Sequence, residues 1–448
     1  MKKVSLVMMI LACSASVGLA QKSLNRSMGG LSYGSPEQVG INGEVLSREI
    51  ERIITQAIDS MAFPGAQVLL AKGGVIFYQG TFGYHTYDSL QPVQPTDLYD
   101  LASVTKVTAA TLALMKLYDD GLFDLDKTFS HYFPKIARGD KKDLTMREIL
   151  AHQAGLKAWI PYWSESQRKN GKWRWNTVKT DSSRRFPHRL EGTDLWLHKN
   201  FKERKIYKAI RKSEVSEEKK YLYSGLVFYL FPDLVERLTG EPFDEYLRKH
   251  FYEPLGAETL GFNPLNRFPS ERIVPTEKDT FFRKTQLHGV VHDEGAAMML
   301  GVSGNAGLFS NAHDLAKVYQ MLLNGGEYEG KTYLSTATIE EFTRVQFPEN
   351  GNRRGLGFDK PLLEYNERIS SVARGAMPSS YGHTGYTGTL VWADPDYDLL
   401  FIFLSNRVFP TRNNSKIYNL NVRPSIHNLV YELLRIGEGT YSIGRHWD

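Results

Sequence analysis

The sequence predicts an α/β fold of the α+β kind. One antiparallel sheet is formed from the N- and C-terminal segments and flanked by helices, and a large helical region is inserted between them. Three observations predict it. Strand-like runs cluster at both ends of the 448-residue chain, helical patterns fill the middle, and each end carries an amphipathic helix suited to packing on a sheet.

At the start, Lys2 and Lys3 precede an apolar run from Val4 to Leu11, and small residues follow to Ala20. That is the pattern of an export signal, with cleavage expected between Ala20 and Gln21. The run is too short to span a bilayer. The expected location is the periplasm or the exterior, with no transmembrane segment after cleavage. Cys13 leaves open a second reading, a lipoprotein anchored through that cysteine. It is the one cysteine in the sequence, so a chain beginning at Gln21 has none. Disulfides, cysteine catalysis and thiolate zinc sites are then excluded.

Residues 21–35 are polar and rich in Gly and Ser, and read as a flexible segment ahead of one domain over 36–448. Ile50, Ile53, Ile54 and Ile58 recur at helical spacing, and the pattern stops at Pro64-Gly65. "AQVLLA" and "VIFYQGTFGY" follow, joined at Lys72-Gly73-Gly74, and read as a hairpin. A long apolar helix runs from Ser103 to Tyr118. Helical patterns then predominate to about residue 345, inside an inserted region of about 115–370. Near the end, "TGTLVWADPDYDLLFIFLSN" reads as two strands around Asp394-Pro395-Asp396, and "PSIHNLVYELLRI" as the closing helix.

The formal net charge of +5 is small for this length, and a nucleic-acid binder would concentrate charge more sharply. The basic, Trp-containing insertion at about 159–220 reads as a solvated surface; a rim for anionic polymers is the alternative. Its tryptophans Trp159, Trp163, Trp173 and Trp175 read as packing the insertion onto the body, although they would also suit a pocket wall. His292, Asp293 and Glu294 are adjacent, a spacing that does not converge on a metal, so they read as structural. His152, before a Gly turn, reads as a hydrogen-bonding residue at a helix end.

Ser103 and Lys106 form an S-x-x-K pair at the start of the apolar helix. Residues three apart share a helix face. A helix N-terminus offers unpaired N–H groups suited to an oxyanion. A simple serine cap is the competing reading. Ser166–Lys169 and Ser216–Lys219 have the same spacing but lie in polar stretches and read as chance. Tyr223, in "KKYLYSGLVFYLF", precedes another apolar helix and could relay a proton. His383-Thr384-Gly385 begins a strand, and Gly385 would let a substrate backbone approach.

These three motifs, in this order and at long separation, resemble the penicillin-recognising serine hydrolases. That family includes class C β-lactamases, D-alanyl-D-alanine carboxypeptidases and related esterases, and the resemblance runs from about Ser35 to the C-terminus. "TMREILAHQAGL" and "SGNAGLFSNAHDLAKVYQMLLNGG" also resemble it. "FRKTQLHGVVHDEGAAMML" resembles a subgroup sometimes fused to a glycoside hydrolase. The resemblance implies a β-lactamase/transpeptidase-like fold and an exported hydrolase of amides or esters (a β-lactam, a D-amino-acid peptide or a carboxylic ester). It implies Ser103 as nucleophile, Lys106 as its proton partner, Tyr223 as general base and acid, and His383 as an orienting group where many members have lysine. The backbone N–H groups of Ser103 and Tyr386 match the oxyanion hole, and Thr384, Gly385 and Gly225 match substrate-contact positions. No cofactor and no metal are implied. The partner is a small-molecule or peptide substrate of possible cell-wall origin. Gly225 stands where the family often has Asn. With His383 in place of lysine, both departures lean toward an esterase or peptidase. A non-catalytic module binding peptidoglycan or a protein partner is the competing reading, and a zinc hydrolase a more distant one.

Overall fold

The computed structural model describes residues 29–437. The expected signal segment, Cys13 and most of the polar N-terminal stretch lie outside the described residues.

In chain order, the elements that frame the site are β1 (Ser32–Tyr33), α1 (Gly43–Asp59), β2 (Gly65–Lys72), β3 (Val75–Gly83), β4 (Tyr99–Asp100), α2 (Leu112–Asp119), β5 (Gly261–Phe262), β6 (Leu308–Ser310), α3 (Ala312–Leu323), β7 (Tyr381–Thr384), β8 (Leu390–Asp394), β9 (Leu399–Ser405) and α4 (Val422–Gly437). The main sheet has the order β1-β3-β2-β9-β8-β7. Its centre is the pairing of β2 with β9, which joins the two ends of the sequence antiparallel from Ala66↔Ser405 to Lys72↔Leu399.

The pleat explains why both faces of this sheet are apolar. Successive side chains in a strand point to opposite faces. Val68 and Leu70 of β2, Phe401 and Phe403 of β9, and Leu390 and Trp392 of β8 pack against Leu46, Ile50 and Ile54 of α1 and Ile426 and Val430 of α4. The alternate residues Leu69, Ala71, Leu400, Ile402, Leu404 and Val391 pack on the other face with Val104, Val107 and Leu114. The result is three layers, with the terminal helices on one side and the inserted region on the other.

The hairpin turns as its sequence requires. Gly73 and Gly74 both have positive φ, at 57° and 78°, which suits a two-residue turn matched to strand twist. Two expectations need correction. The sheet is mixed, because β1 pairs parallel to β3. That pairing also places Ser32 and Tyr33 in an edge strand rather than a loose segment. Both side chains are exposed, so no hydrophobic pattern marks the strand. The inserted region is also less helical than its pattern suggested. It contributes β5 and β6 to the three-stranded sheet β4-β6-β5 and holds a second sheet of Val178–Lys179, His188–Leu190 and Leu195–Leu197. Strands of two or three residues are too short to show a period of two.

Ile402 is fully buried in the central strand and faces the inserted region. Ile402→Ala should lower stability by about 2–5 kcal/mol, through lost burial and the cavity left behind. A urea titration would show this as a lower midpoint with an unchanged slope.

Candidate active site

The site begins at a bend before the first motif. Ala102 has φ +45°, an unusual conformation for a residue with a Cβ. Three contacts hold it. Asp100 Oδ1 accepts the Ala102 N–H at 2.8 Å, Thr389 Oγ1 donates to the Leu101 carbonyl at 3.1 Å, and the Leu101 N–H donates to the Leu308 carbonyl at 3.0 Å. The other Asp100 oxygen accepts the His292 N–H at 2.6 Å. Burial raises the pKa of Asp100, and these N–H donors oppose that rise.

Beyond the bend the chain makes one turn of 3-10 helix (Ala102–Val104), a π-helical stretch (Lys106–Thr111) and then α2. The expected long helix is therefore present, with its first turns wound irregularly. Such π segments frequently mark functional sites. Ser103 is half-buried, whereas Lys106 is only 3% exposed. Lys106 Nζ donates to Ser103 Oγ at 3.0 Å and to the Asn305 carbonyl at 2.9 Å. The other two S-x-x-K matches are not paired this way. Ser166 Oγ donates to the Trp163 carbonyl, and Lys219 Nζ reaches Glu148 at 2.6 Å.

Tyr223 lies on the loop before the 3-10 turn Val227–Leu230. His152 holds this loop twice. Its carbonyl accepts the Leu222 N–H at 3.0 Å and its Nδ1 accepts the Ser224 N–H at 3.2 Å. The His152 ring lies 4.6 Å from the Tyr223 ring. His152 is thus the helix-end hydrogen-bonding residue expected, and it also forms one wall of the site. The Tyr223 ring has Lys106 Nζ 5.4 Å from its centroid, the Arg354 guanidinium at 5.1 Å and the His383 ring at 5.8 Å. Ser103, Lys106, Tyr223 and His383 therefore come together from elements far apart in sequence.

His383 sits in β7, buried. Its Nδ1 lies 2.7 Å from the Thr384 carbonyl. A carbonyl only accepts, so Nδ1 carries the proton and Nε2 presents a lone pair. Burial, with the positive charges of Arg354 and Lys106 nearby, pushes the pKa of His383 down to about 3. His383 is therefore neutral near pH 7, and it cannot serve as a cation.

Gly385 has a structural use besides the one expected. A Cβ there would meet Thr389 Oγ1 at 2.0 Å and the Leu101 carbonyl at 2.5 Å. The missing side chain lets the turn after β7 close onto the segment leading to Ser103. Thr387 Oγ1 fastens the same turn to the Asp100 carbonyl at 2.7 Å. On that turn the ring of Tyr386 is exposed, while its carbonyl accepts from Arg407 Nε at 2.8 Å. Gly225 lies beside the lysine, where a Cβ would stand 3.6 Å from Lys106 Cε.

The adjacent trio is engaged in structural contacts. His292 pairs with Glu277 at 2.9 Å, Asp293 caps a helix through the Ala296 N–H, and Glu294 meets Arg412 at 2.7 Å. Among the described residues no group of three or more His, Cys, Asp or Glu is placed to hold a metal ion. The tryptophans divide. Trp163 and Trp173 pack on Phe281 and Phe282 as expected, whereas Trp159 and Trp175 are 56% and 60% exposed. Trp159 follows Ala158, whose carbonyl accepts the Gly225 N–H, so it stands beside the Tyr223 loop. Asn305, Arg354 and Asp100 were missed. Asn305 carries a weak signal in "SGNAG": a Cβ at Gly304 would meet the Phe228 carbonyl at 2.3 Å, so that loop must pass closely.

Residues 50–421 match the Beta-lactamase family. The chain belongs to that family. A relative from Escherichia coli O157:H7 named "Putative D-alanyl-D-alanine carboxypeptidase" is 31% identical over 433 residues, covering 91% of each chain. Among solved structures, a penicillin-binding protein homologue from Caulobacter crescentus superposes with TM-score 0.59 at 20% identity, over 86% of this chain and 96% of that one. A D-amino acid amidase from Ochrobactrum anthropi gives TM-score 0.59 at 18% identity, over 88% and 99%. The architecture of this family member is thus β-lactamase/transpeptidase-like, and its class is that of the β-lactamase and penicillin-binding-protein hydrolases.

Two outcomes follow from the geometry. Gly385→Ala should cut turnover by roughly 10²-fold, because displacing the turn shifts the reacting groups; circular dichroism should show the fold retained. The second concerns acid stability. The unfolded chain protonates His383 near the ordinary value of 6.5, but the folded chain resists until about 3. The unfolded state therefore binds more protons in this window, and stability drops by about 1.4 kcal/mol for each unit the pH is lowered, from this group. His383→Gln should flatten the stability slope between about pH 4 and 6 by one proton, measured by urea titration at several pH values.

Proposed function

We propose that this chain is an exported serine hydrolase that cleaves an amide or ester through a Ser103 acyl-enzyme, with a D-amino-acid peptide or a carboxylic ester favoured over a β-lactam. The observation that carries the reading is Lys106 Nζ held 3.0 Å from Ser103 Oγ at the start of a buried helix. That is within reach for proton transfer. The family and the carboxypeptidase name of the relative support the same class.

In this mechanism Ser103 Oγ attacks the carbonyl carbon while Lys106 and Tyr223 take its proton. The N–H groups of Ser103 and Tyr386 stabilise the oxyanion of the tetrahedral intermediate. Tyr223, assisted by His383, returns the proton to the leaving amine or alcohol as the carbon–heteroatom bond breaks. Water then attacks the acyl-enzyme, and its proton restores the Ser103 hydroxyl. Thr384, Gly385 and Gly225 border the acyl group. Gly225 offers no side-chain amide and His383 no charge, so two contacts that relatives direct at a β-lactam are missing. The Lys2–Lys3 start, the following apolar run and Ala20 support export, with a cell-wall-derived substrate meeting the enzyme outside the cytoplasm. Among the described residues no helix is long and apolar enough to cross a membrane.

Intact-mass spectrometry with a fluorophosphonate and a chromogenic β-lactam provides the test. The wild-type chain should gain one fluorophosphonate adduct and Ser103→Ala none, with ester turnover down by roughly 10³-fold or more in the variant. A folded wild-type chain that takes up neither reagent would favour the binding-module reading instead.

A further inference from the structure

We infer that Arg407 is a positioning residue for the reaction: it holds the turn that carries the Tyr386 N–H and sets a buried positive charge behind it. This deepens the serine-hydrolase reading and rests on it for the role of Tyr386 as oxyanion donor. Arg407 lies just past β9 and is 3% exposed. Its Nε donates to the Tyr386 carbonyl at 2.8 Å, and its own N–H donates to the Thr387 carbonyl at 2.9 Å. The guanidinium stands 4.4 Å from the centre of the Tyr386 ring. Backbone and ring of Tyr386 are therefore held by one side chain. Nη1 faces the other way, donating to the Arg412 and Asn414 carbonyls at 3.1 and 2.6 Å. Gly388, with φ 107°, lets the turn lie directly on the arginine stem, since a Cβ there would meet Arg407 Cγ at 2.9 Å.

The hydrogen bonds of the turn are divided unevenly. All five carbonyls from Gly385 to Thr389 accept. Gly385 accepts from the Gly388 N–H at 3.0 Å, and Tyr386 and Thr387 accept from Arg407. Gly388 and Thr389 accept from Arg423 Nη1 at 3.4 and 3.2 Å. The Tyr386 N–H, by contrast, meets no acceptor among the described residues. Carbonyls tied down on every side and one donor left open suit a group that must be in place before charge develops on the substrate oxygen.

The charge has its own reason. Arg407 and Arg423 are both buried. Their partners are backbone carbonyls and tyrosine rings, and no carboxylate among the described residues pairs with either. A buried charge without a counter-charge is costly, and a neutral amide could donate to the same carbonyls. The positive charge gains an opposite partner when the tetrahedral oxyanion forms beside Tyr386. It therefore favours the transition state over the ground state, which is the condition for raising kcat.

The test compares p-nitrophenyl acetate with its thiono analogue, in which sulfur replaces the carbonyl oxygen, in the full-length chain. Rates are normalised to the fraction of chain labelled by a fluorophosphonate. Arg407→Gln should lower kcat for the oxygen ester by roughly 10- to 100-fold with KM little changed, as for a displaced oxyanion donor. The thionoester, whose larger sulfur fits the hole poorly in wild type, should lose much less, so the ester-to-thionoester ratio should fall roughly ten-fold. Arg407→Lys, which keeps the charge and guards against a variant that does not fold, should recover part of that ratio. Hydrogen exchange should also quicken across Gly385–Thr389 in Arg407→Gln while β2 and β9 keep their protection. Equal losses on both substrates, or a folded Arg407→Gln with the wild-type ratio and wild-type exchange, would overturn the assignment. Hydrolysis that persists in Ser103→Ala would count against the nucleophile, and the exchange comparison would still decide whether Arg407 holds the turn.

Discussion

The buried amine of Lys106 holds the site together. It reaches the Ser103 hydroxyl on one side and the Asn305 carbonyl on the other, at 3.0 and 2.9 Å. A lysine this buried is costly unless its donors are used. The surroundings are arranged to use them. Asn305 is fixed through its own side chain, which donates to Tyr229 Oη at 3.1 Å and accepts from Ser303 at 2.7 Å. Tyr229 in turn donates to Asp293 at 3.1 Å. The helix start, the loop before β6 and the helix carrying Asp293 are therefore tied through one lysine nitrogen. Moving any of them would leave a buried donor or acceptor unmade.

The sheet supplies the second constraint. The turn after β7 lies against the Asp100–Leu101 segment only because Gly385 has no side chain, and Thr387 and Thr389 fasten it there. Its position depends on β7 pairing with β8, on β8 pairing with β9, and on β9 pairing with β2. The close contact at the segment leading to Ser103 is thus the end point of a rigid ladder whose two faces are both buried. Rigid elements place reacting groups better than loops do, and here the one irregular turn is clamped at each side.

Much of this was legible because the informative signals are local. The continuous apolar runs in "AQVLLA" and "DYDLLFIFLSN" reflect strands buried on both faces, and Gly73-Gly74 reflects a turn needing positive φ. Ser103 and Lys106 are three residues apart on one helix, so their contact needs no knowledge of the fold. The residues that were missed act across long separations. Asn305 lies 199 positions from Lys106, and its contact is made by a backbone carbonyl that any residue would carry. Arg354 sits in a charged, glycine-containing stretch that carries no motif, and only the fold carries it to Tyr223. The edge strand Ser32–Tyr33 is two exposed residues joined by backbone bonds, which leaves no pattern in side chains.

The electrostatics of the site follow from where charge can be kept. At position 383 burial is complete and two cations lie near, so a protonated imidazole there would face both desolvation and repulsion. A neutral ring avoids both and leaves a lone pair beside the Tyr223 ring. A lysine at the same place would add a third positive charge beside Lys106 and Arg354, with Asp359 already gripped by Arg353. Histidine at 383 and arginine at 354 therefore form one electrostatic arrangement. The charge sits on the group whose planar donors are shared between a tyrosine and a carboxylate, and the uncharged ring keeps a free acceptor at Nε2.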